Sequence, residues 1–169
     1  SASVFIDVKD CPMPVCKGAD VTTPMAGFSE DFGVTSYPIP LDLARGTTQF
    51  TAQTAGTPLQ PNQYFVHSKV DSIVNTDWSE TTDHTKNTDG AMLVVNADAQ
   101  PNVFYRRAVT GLCKGAVYRI GAWVKNIDNK DFFESFGCGT NYVNPGLTID
   151  ILDPTGTITL ASYNSGDIS

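Results

Sequence analysis

The sequence has few cations and no long apolar segment. Its 169 residues include 11 Lys and Arg against 18 Asp and Glu, which gives a formal net charge of -7. A surface of this charge attracts neither a phosphate backbone nor an anionic lipid. No apolar run approaches the roughly 18 residues of a membrane-spanning helix, and the opening "SASVFIDVKD" lacks the basic and apolar regions of a signal peptide. We therefore expect neither nucleic-acid binding nor membrane insertion, and we expect any targeting segment to have been removed.

Several patterns that mark enzymes are also missing. The chain contains no GxSxG, no HExxH and no glycine-rich phosphate loop, and it has only two histidines, His67 and His84. Paired carboxylates for glycoside hydrolysis meet only in the fold, so the sequence leaves that alternative open. Because nothing in the sequence points to catalysis, we predict that the protein is not an enzyme. The length is that of one ordinary domain with a sizeable core.

The four cysteines favour disulfides in an oxidising compartment. They are Cys11, Cys16, Cys113 and Cys138. A zinc site is the alternative, but four residues separate the first two sulfurs and 24 separate the other two, which does not form a clear ligand pattern. We predict a Cys113–Cys138 disulfide, because "GLC" opens a strand and "FGCG" lies in the loop that follows it. Cys11 is expected to pair with Cys16, unless either of them reaches an upstream domain.

Short alternating runs punctuated by Gly, Pro, Asn and Asp predict an all-β fold. They are rich in β-branched and aromatic residues and show no sustained helical period, which is typical of a sandwich or barrel. The runs are "SVFIDV" (3–8), "TTQFTAQ" (47–53), "NQYFVHSKV" (62–70), "AMLVVNA" (91–97), "NVFYRRAV" (102–109), "AVYRIGAWVKN" (116–126), "LTIDIL" (147–152) and "TITLASYN" (157–164).

Turn chemistry and composition divide the chain. "DPTG" at 153–156 has Pro second and Gly last, as a type I turn prefers, so it predicts a hairpin between the last two runs. Residues 1–26 are predicted to be an N-terminal strand followed by a leader containing Pro and Cys. Residues 27–169 are predicted to be the folded module.

Seven segments together resemble a known module. They are "FSEDFG" (28–33), Trp78, "DHT" (83–85), "DGAMLVVNA" (89–97), "FYRRAVTGLCKGAVYRIGAWVKN" (104–126), "NPGLTIDILDPTGT" (144–157) and "SYNSGDI" (162–168). This order is similar to that of the jelly-roll, galactose-binding-like domains in large secreted surface proteins of gliding Bacteroidetes, and more distantly to carbohydrate-binding modules. The "DHT" element is also similar to one in extracellular MAM domains. The resemblance implies a two-sheet antiparallel β-sandwich, an extracellular setting, and a role in adhesion or glycan binding.

The loop from Asp83 to Gly90 is rich in oxygen donors, and calcium takes six to eight oxygens from carboxylates, amides and carbonyls. In the modules that this chain resembles, a structural calcium often joins the first strand to such a loop. The resemblance therefore implies Ca2+ ligands at Asp31, Asp83 and Asp89, with Glu30 in support. The alternative is a solvated turn in which Asp83 caps local backbone amides. We expect His84 to pack or hydrogen-bond, because calcium prefers oxygen.

Alternation also suggests a carbohydrate site. In "AVYRIGAWVKN" the row from Tyr118 to Val124 is predicted to be core, and the opposite row sets Trp123 between Arg119 and Lys125. An aromatic ring beside charged hydrogen-bonding groups suits the apolar face and hydroxyl rim of a sugar. The alternative is that Trp123 is ordinary core. Further candidates are Arg106 on a neighbouring run, Asp150, His67, and Trp78, which could either stack on a sugar or plug the end of the sandwich.

The resemblance further implies that the sandwich lacks its final strand or strands, since the similar modules continue beyond "SGDI". A strand from another module or chain could complete the sheet. The alternative is that "SVFIDV" fills the position within its own chain. We expect a non-catalytic extracellular module of a bacterial surface adhesin or structural protein, or alternatively a carbohydrate-binding module that recognises a polysaccharide.

Overall fold

The computed structural model describes residues 2–10, through their backbone, together with residues 29–53, 58–70, 77–85, 88–112, 118–133, 135 and 143–169. These residues form strands and one short helix, which confirms the predicted all-β class. None of the described helices is long and apolar enough to cross a membrane. The elements are β1 (Ala2–Asp10), β2 (Thr51–Ala52), β3 (Gln63–His67), β4 (Lys69–Val70), β5 (Thr81–Thr82), β6 (Met92–Asn96), β7 (Asn102–Leu112), α1 (Lys130–Phe133), β8 (Gly146–Leu152) and β9 (Thr159–Asp167).

The largest sheet has the strand order β7-β1-β8-β9. β1 is parallel to both of its neighbours, while β9 is antiparallel to β8. The segment "SVFIDV" is therefore paired inside the sheet of its own chain, which was one of the two alternatives that the sequence left open. A three-stranded sheet has the order β2-β3-β6, and β4 pairs with β5.

The core lies on both faces of the three-stranded sheet, because successive residues of β3 point to opposite sides. Tyr64 and Val66 pack with Tyr105 of β7, so one face meets the four-stranded sheet. Phe65, which is fully buried, packs on the other face with Trp78. This arrangement explains why the run of β3 is apolar at every position from Tyr64 to Val66 instead of alternating.

Most of the predicted strands are present, but the prediction for residues 116–126 was wrong where the structure describes them. Residues 118–126 contain no strand, and the row expected to be core is exposed at Ile120 and Val124. A strand is stable only when its backbone groups find a neighbour. Residues 118–126 form no β-bridge in the described part of the chain, and the nearest one, between Trp78 and Asp128, begins two residues after this segment.

The hairpin predicted at "DPTG" joins β8 to β9. The Asp153 amide donates to the Ile158 carbonyl at 2.8 Å, and Gly156 takes a positive φ of 72°. The Asp153 carboxylate accepts hydrogen bonds from the Thr155 hydroxyl and from the amides of Thr157 and Ile158. These bonds hold the pKa of Asp153 at about 2, with the Thr155 hydroxyl as the largest cause. The jelly-roll connectivity and the boundary between residues 26 and 27 stay predictions.

Candidate carbohydrate-binding site

Trp123 presents an aromatic ring to solvent. The residue is 81% exposed, and its ring lies over the ring of His84 with centroids 5.2 Å apart and an interplanar angle of 23°. A stack of this kind covers one face of the indole and leaves the other face open. The exposure contradicts the core alternative for Trp123 and supports the platform alternative.

Backbone pairing places the two halves of this site together. The Ser79 amide donates to the Ile127 carbonyl at 2.6 Å, and the Asn129 amide donates to the Asp77 carbonyl at 3.0 Å. This short antiparallel contact brings the chain after Ser79 alongside the chain before Ile127. The Lys125 ammonium donates to the Thr81 hydroxyl at 2.8 Å. Lys125 and Trp123 therefore both contact the segment from Thr81 to His84.

Asp83 fixes the imidazole beneath the tryptophan. One carboxylate oxygen of this buried residue lies 2.9 Å from Nδ1 of His84, and the other accepts hydrogen bonds from the amide and the hydroxyl of Thr85. Burial raises the pKa of Asp83, but the hydrogen bonds from Thr85 and His84 outweigh it, so the pKa is lowered overall. An ionised carboxylate only accepts, so Nδ1 carries a proton and Nε2 is the remaining polar atom of the ring.

This arrangement can bind a sugar by stacking and hydrogen bonding. A pyranose ring has an apolar face that fits an open indole, and its hydroxyls need donors and acceptors nearby. The stacked His84 brings its Nε2 next to the Trp123 ring, and the Lys125 ammonium lies two residues further along the same segment, bonded to Thr81. His84 and Lys125 were not among the residues predicted for carbohydrate binding, although His84 was expected to pack or hydrogen-bond. No local pattern in "DHT" indicates that its histidine meets a tryptophan 39 residues later.

The other predicted carbohydrate residues do not gather around Trp123. Trp78 is only 7% exposed and packs in the core, as a residue that closes the end of the sandwich would, so its ring is not open to a sugar. His67 is also buried, with its ring edge-on to Phe65 and its Nδ1 accepting from the Ser68 amide at 2.8 Å. The burial of both side chains follows from their neighbours, since β3 and the segment around Trp78 cover each other. Arg119 is exposed on the same segment as Trp123.

Arg106 lies in a separate place, beside the β8–β9 hairpin. Its guanidinium comes so close to Gly156 that a Cβ atom on that glycine would lie 1.8 Å from Nη2. With Thr47, Gln49 and Leu152 it lines a cleft of about 260 Å³. Asp150, on β8, accepts from the Ser162 hydroxyl of β9 and is therefore occupied with its own hairpin.

Two of the predicted calcium ligands are bound by arginines. The Glu30 side chain is 7% exposed and contacts Nη1 of Arg45 at 2.6 Å and Nη1 of Arg107. Asp31 accepts from the Gly33 amide at 2.9 Å and from Arg45 at 3.2 Å. Both bonds lower the pKa of Asp31, the amide bond more than the guanidinium. A divalent cation at this place would meet two guanidinium groups of the same sign.

The described end of this loop, at Asp89 and Gly90, lies against the segment that follows Asp31, and backbone hydrogen bonds join them. Val34 bridges to Gly90, and the Ala91 amide donates to the Gly33 carbonyl at 2.9 Å. Asp83 adopts the alternative turn, since its carboxylate accepts from the Thr85 amide. Among the described residues, no three His, Cys, Asp or Glu side chains are grouped to hold a metal. Calcium binding by Glu30, Asp31, Asp83 and Asp89 stays a prediction.

Cys11, Cys16, Cys113 and Cys138 all lie outside the described residues, so both predicted disulfides stay predictions. No protein-family model, curated protein or solved structure matches the chain. Inferences about function therefore depend on the geometry of the chain itself and on the resemblance of its sequence segments.

Proposed function

We propose that this chain is a non-catalytic module of an extracellular bacterial surface protein, and that it mediates adhesion by holding a polysaccharide against the open face of Trp123. The observation that supports the proposal most is the exposure of Trp123, at 81%, on a ring that is held from behind by His84. An indole ring that is exposed on one face and held on the other presents the flat apolar surface that the apolar face of a sugar ring covers.

The neighbouring contacts make this ring suitable for recognition. The stack on His84, and the bonds from His84 to Asp83 and from Asp83 to Thr85, limit the orientations of the imidazole before any ligand binds. A preorganised aromatic surface loses less conformational entropy on binding. Stacking of one sugar on one aromatic ring gives modest affinity. A surface protein would bind a polysaccharide with higher avidity by presenting several such modules.

The setting is supported by composition and by resemblance. Four cysteines in an acidic chain favour an oxidising compartment. The order of its segments is similar to that of adhesive modules in secreted surface proteins of gliding Bacteroidetes. A structural role without glycan binding is the second candidate, and the same resemblance supports it.

The two tryptophans allow a direct test by fluorescence. Trp123 is exposed and Trp78 is buried, so the emission of the native protein contains one component that a ligand can reach and one that serves as an internal reference. Titration with a panel of soluble polysaccharides should shift the emission. Trp123→Ala should weaken binding at least about tenfold, in line with the loss of a hot-spot aromatic, while leaving the melting temperature unchanged.

The matched control is Arg106→Gln, which changes the separate cleft and should leave binding intact. Reducing-end assays on the same mixtures should show no hydrolysis. Binding that survives Trp123→Ala would contradict the proposed site. A panel without any bound polysaccharide would contradict glycan binding and leave the structural role.

A further inference from the structure

Arg106 is a cation without an acidic partner, although it lies next to cations that have one. Arg45 and Arg107 share the carboxylate of Glu30. The Arg106 guanidinium forms no ion pair or side-chain hydrogen bond with any residue that the structure describes. A guanidinium carries five N–H donors in a planar fork that matches the two oxygens of a carboxylate. This fork is therefore available to an anion from outside the chain.

The polar side chains beside Arg106 in its cleft are also left as donors. The Gln49 side-chain oxygen accepts from the Val103 amide at 3.3 Å, so its NH2 group is the part that remains for a ligand. The Thr48 hydroxyl oxygen accepts from the Phe50 amide at 3.0 Å, and its hydrogen remains to donate. A guanidinium, an amide NH2 and a hydroxyl around one cleft favour an acceptor with negative charge.

Backbone hydrogen bonds hold these donors in register. The Thr47 amide donates to the Arg106 carbonyl at 2.8 Å, and the Arg106 amide donates to the Thr47 carbonyl at 2.7 Å. The Gln49 amide donates to the Val103 carbonyl at 3.0 Å. The segment 47–49 and β7 are thus fixed against each other before any ligand binds, which reduces the entropy that binding costs.

The β8–β9 hairpin forms the third wall, and it admits the guanidinium because residue 156 is glycine. A Cβ atom on Gly156 would lie 1.8 Å from Nη2 of Arg106, so a side chain there would displace the guanidinium. The Asp153 carboxylate of the same hairpin is bonded within its own turn and leaves Arg106 without a partner. The hairpin therefore positions the guanidinium without neutralising it.

The charge and size of the cleft define its ligand. Among the described residues that line it, Arg106 alone is charged, so it balances one negative charge. A dianion such as sulfate would add an uncompensated charge to a chain whose net charge is already -7. Val103 and Leu152 supply apolar wall. The volume of about 260 Å³ is below the roughly 300–1,000 Å³ of clefts for drug-sized ligands.

We propose that the cleft between residues 47–49, β7 and the β8–β9 hairpin binds a small monocarboxylate with a short apolar chain. The carboxylate lies on the fork of Arg106 with Gln49 and Thr48 as further donors, and the chain lies against Val103 and Leu152. The inference is independent of glycan binding, because Trp123 and His84 are not among the residues that line this cleft.

Sodium butyrate is the probe, added to the 15N-labelled chain at constant ionic strength and followed by NMR. The amides of Gln49, Val103 and Gly156 should shift and saturate, with a Kd on the order of 1–10 mM for a ligand of this size. Butyramide has the same chain without the charge, and sulfate has charge without the chain or the planar carboxylate. Neither should give a saturable shift in this range.

Arg106→Gln should weaken butyrate binding at least about tenfold, because it removes the charge and the fork together. Arg106→Lys keeps the charge and loses the fork, and it should weaken binding as well. The matched control is Arg119→Gln, which removes an exposed cation outside the cleft and should bind butyrate like the wild type.

Three results would overturn the inference: no saturable shift with butyrate, equal shifts with butyramide or sulfate, or equal losses in Arg106→Gln and Arg119→Gln. The first means that the cleft takes no carboxylate, and the other two mean that its charge and shape do not select one. Each of these results can be obtained whatever the outcome of the polysaccharide titrations, so failure here and failure of the proposed function are distinguishable.

Discussion

Replacing Glu30, whose side chain is buried, should destabilise the protein. Its side chain is 7% exposed and lies between Arg45 and Arg107, whose side chains are 37% and 27% exposed. The Arg107 guanidinium also donates to the Arg45 carbonyl at 2.9 Å, so three backbone segments meet at this carboxylate. Glu30→Gln keeps the size of the side chain and removes its charge.

The magnitude follows from the burial of the Glu30 carboxylate and the partial exposure of its two arginines. A hydrogen bond to a charged group is worth about 1.5–3 kcal/mol, and breaking a fully buried ion pair costs about 3–5 kcal/mol. Glutamine retains part of the hydrogen bonding, and both arginines are exposed enough to regain water. We therefore expect the free energy of unfolding to fall by about 2–3 kcal/mol, which lowers the melting temperature of a chain of this length by roughly 5–10 °C.

The assay is urea unfolding followed by circular dichroism, with Asp31→Asn as the matched control. Asp31 is the neighbouring residue and binds the same Arg45, but its side chain is 69% exposed. Exposed ion pairs contribute little, so this control should leave the free energy of unfolding almost unchanged. Equal effects of the two variants, or a Glu30→Gln protein as stable as the wild type, would show that the buried carboxylate does not hold these segments together.

Three further predictions concern other parts of the chain. The pKa of Asp153 is about 2, below its ordinary value of 3.8, so its contribution to stability is present above about pH 4 and is lost as the pH falls towards 2. NMR titration of its carboxyl should give that midpoint, Asp153→Asn should remove the acid-sensitive component, and a midpoint near 4 would contradict the hydrogen bonds of the turn. EDTA tests the predicted calcium site: a melting temperature that EDTA lowers and added calcium restores would confirm it, whereas an unchanged melting temperature would show that Glu30 and Asp31 bind only their arginines. Peptide mapping without reduction should find Cys113 linked to Cys138, which closes a loop worth roughly 3 kcal/mol, and Cys11 linked to Cys16, and four free thiols would refute both pairings.

Alternation predicted most strands because it reports local geometry, and it failed where pairing depends on a distant partner. "LTIDIL" forms β8, and most of "NQYFVHSKV" forms β3, and each of these strands has a neighbour on both sides. "AVYRIGAWVKN" has an equally clear pattern, yet its described residues form no strand. The pattern specifies which side chains share a face but not which segment covers that face.

The candidate site shows the same limit for individual residues. Sequence reasoning gave Trp123 a core alternative because it lies in a strand-like run, and gave Trp78 a possible sugar contact because it lies in a turn-like run. In the structure the environments of the two tryptophans are the reverse of these, since Trp78 packs with Phe65 in the core while Trp123 faces solvent. Likewise, the carboxylate of Glu30 suggested a metal ligand, and nothing near it in sequence indicates that Arg107, 77 residues away, supplies the positive charge.

The order of strands in the large sheet has a mechanical consequence if the chain comes under tension, as the proposed role in adhesion would require. Ala2 of β1 and Asp167 of β9 are paired with adjacent residues of β8, Leu147 and Gly146, so the two outer ends of the described chain lie at the same end of the sheet. A pulling force between these two points acts across the strands and breaks hydrogen bonds one after another, starting at that end. Tension applied there should peel β1 and β9 away at low force, so that the module lengthens under load before its core between β3 and β7 is strained.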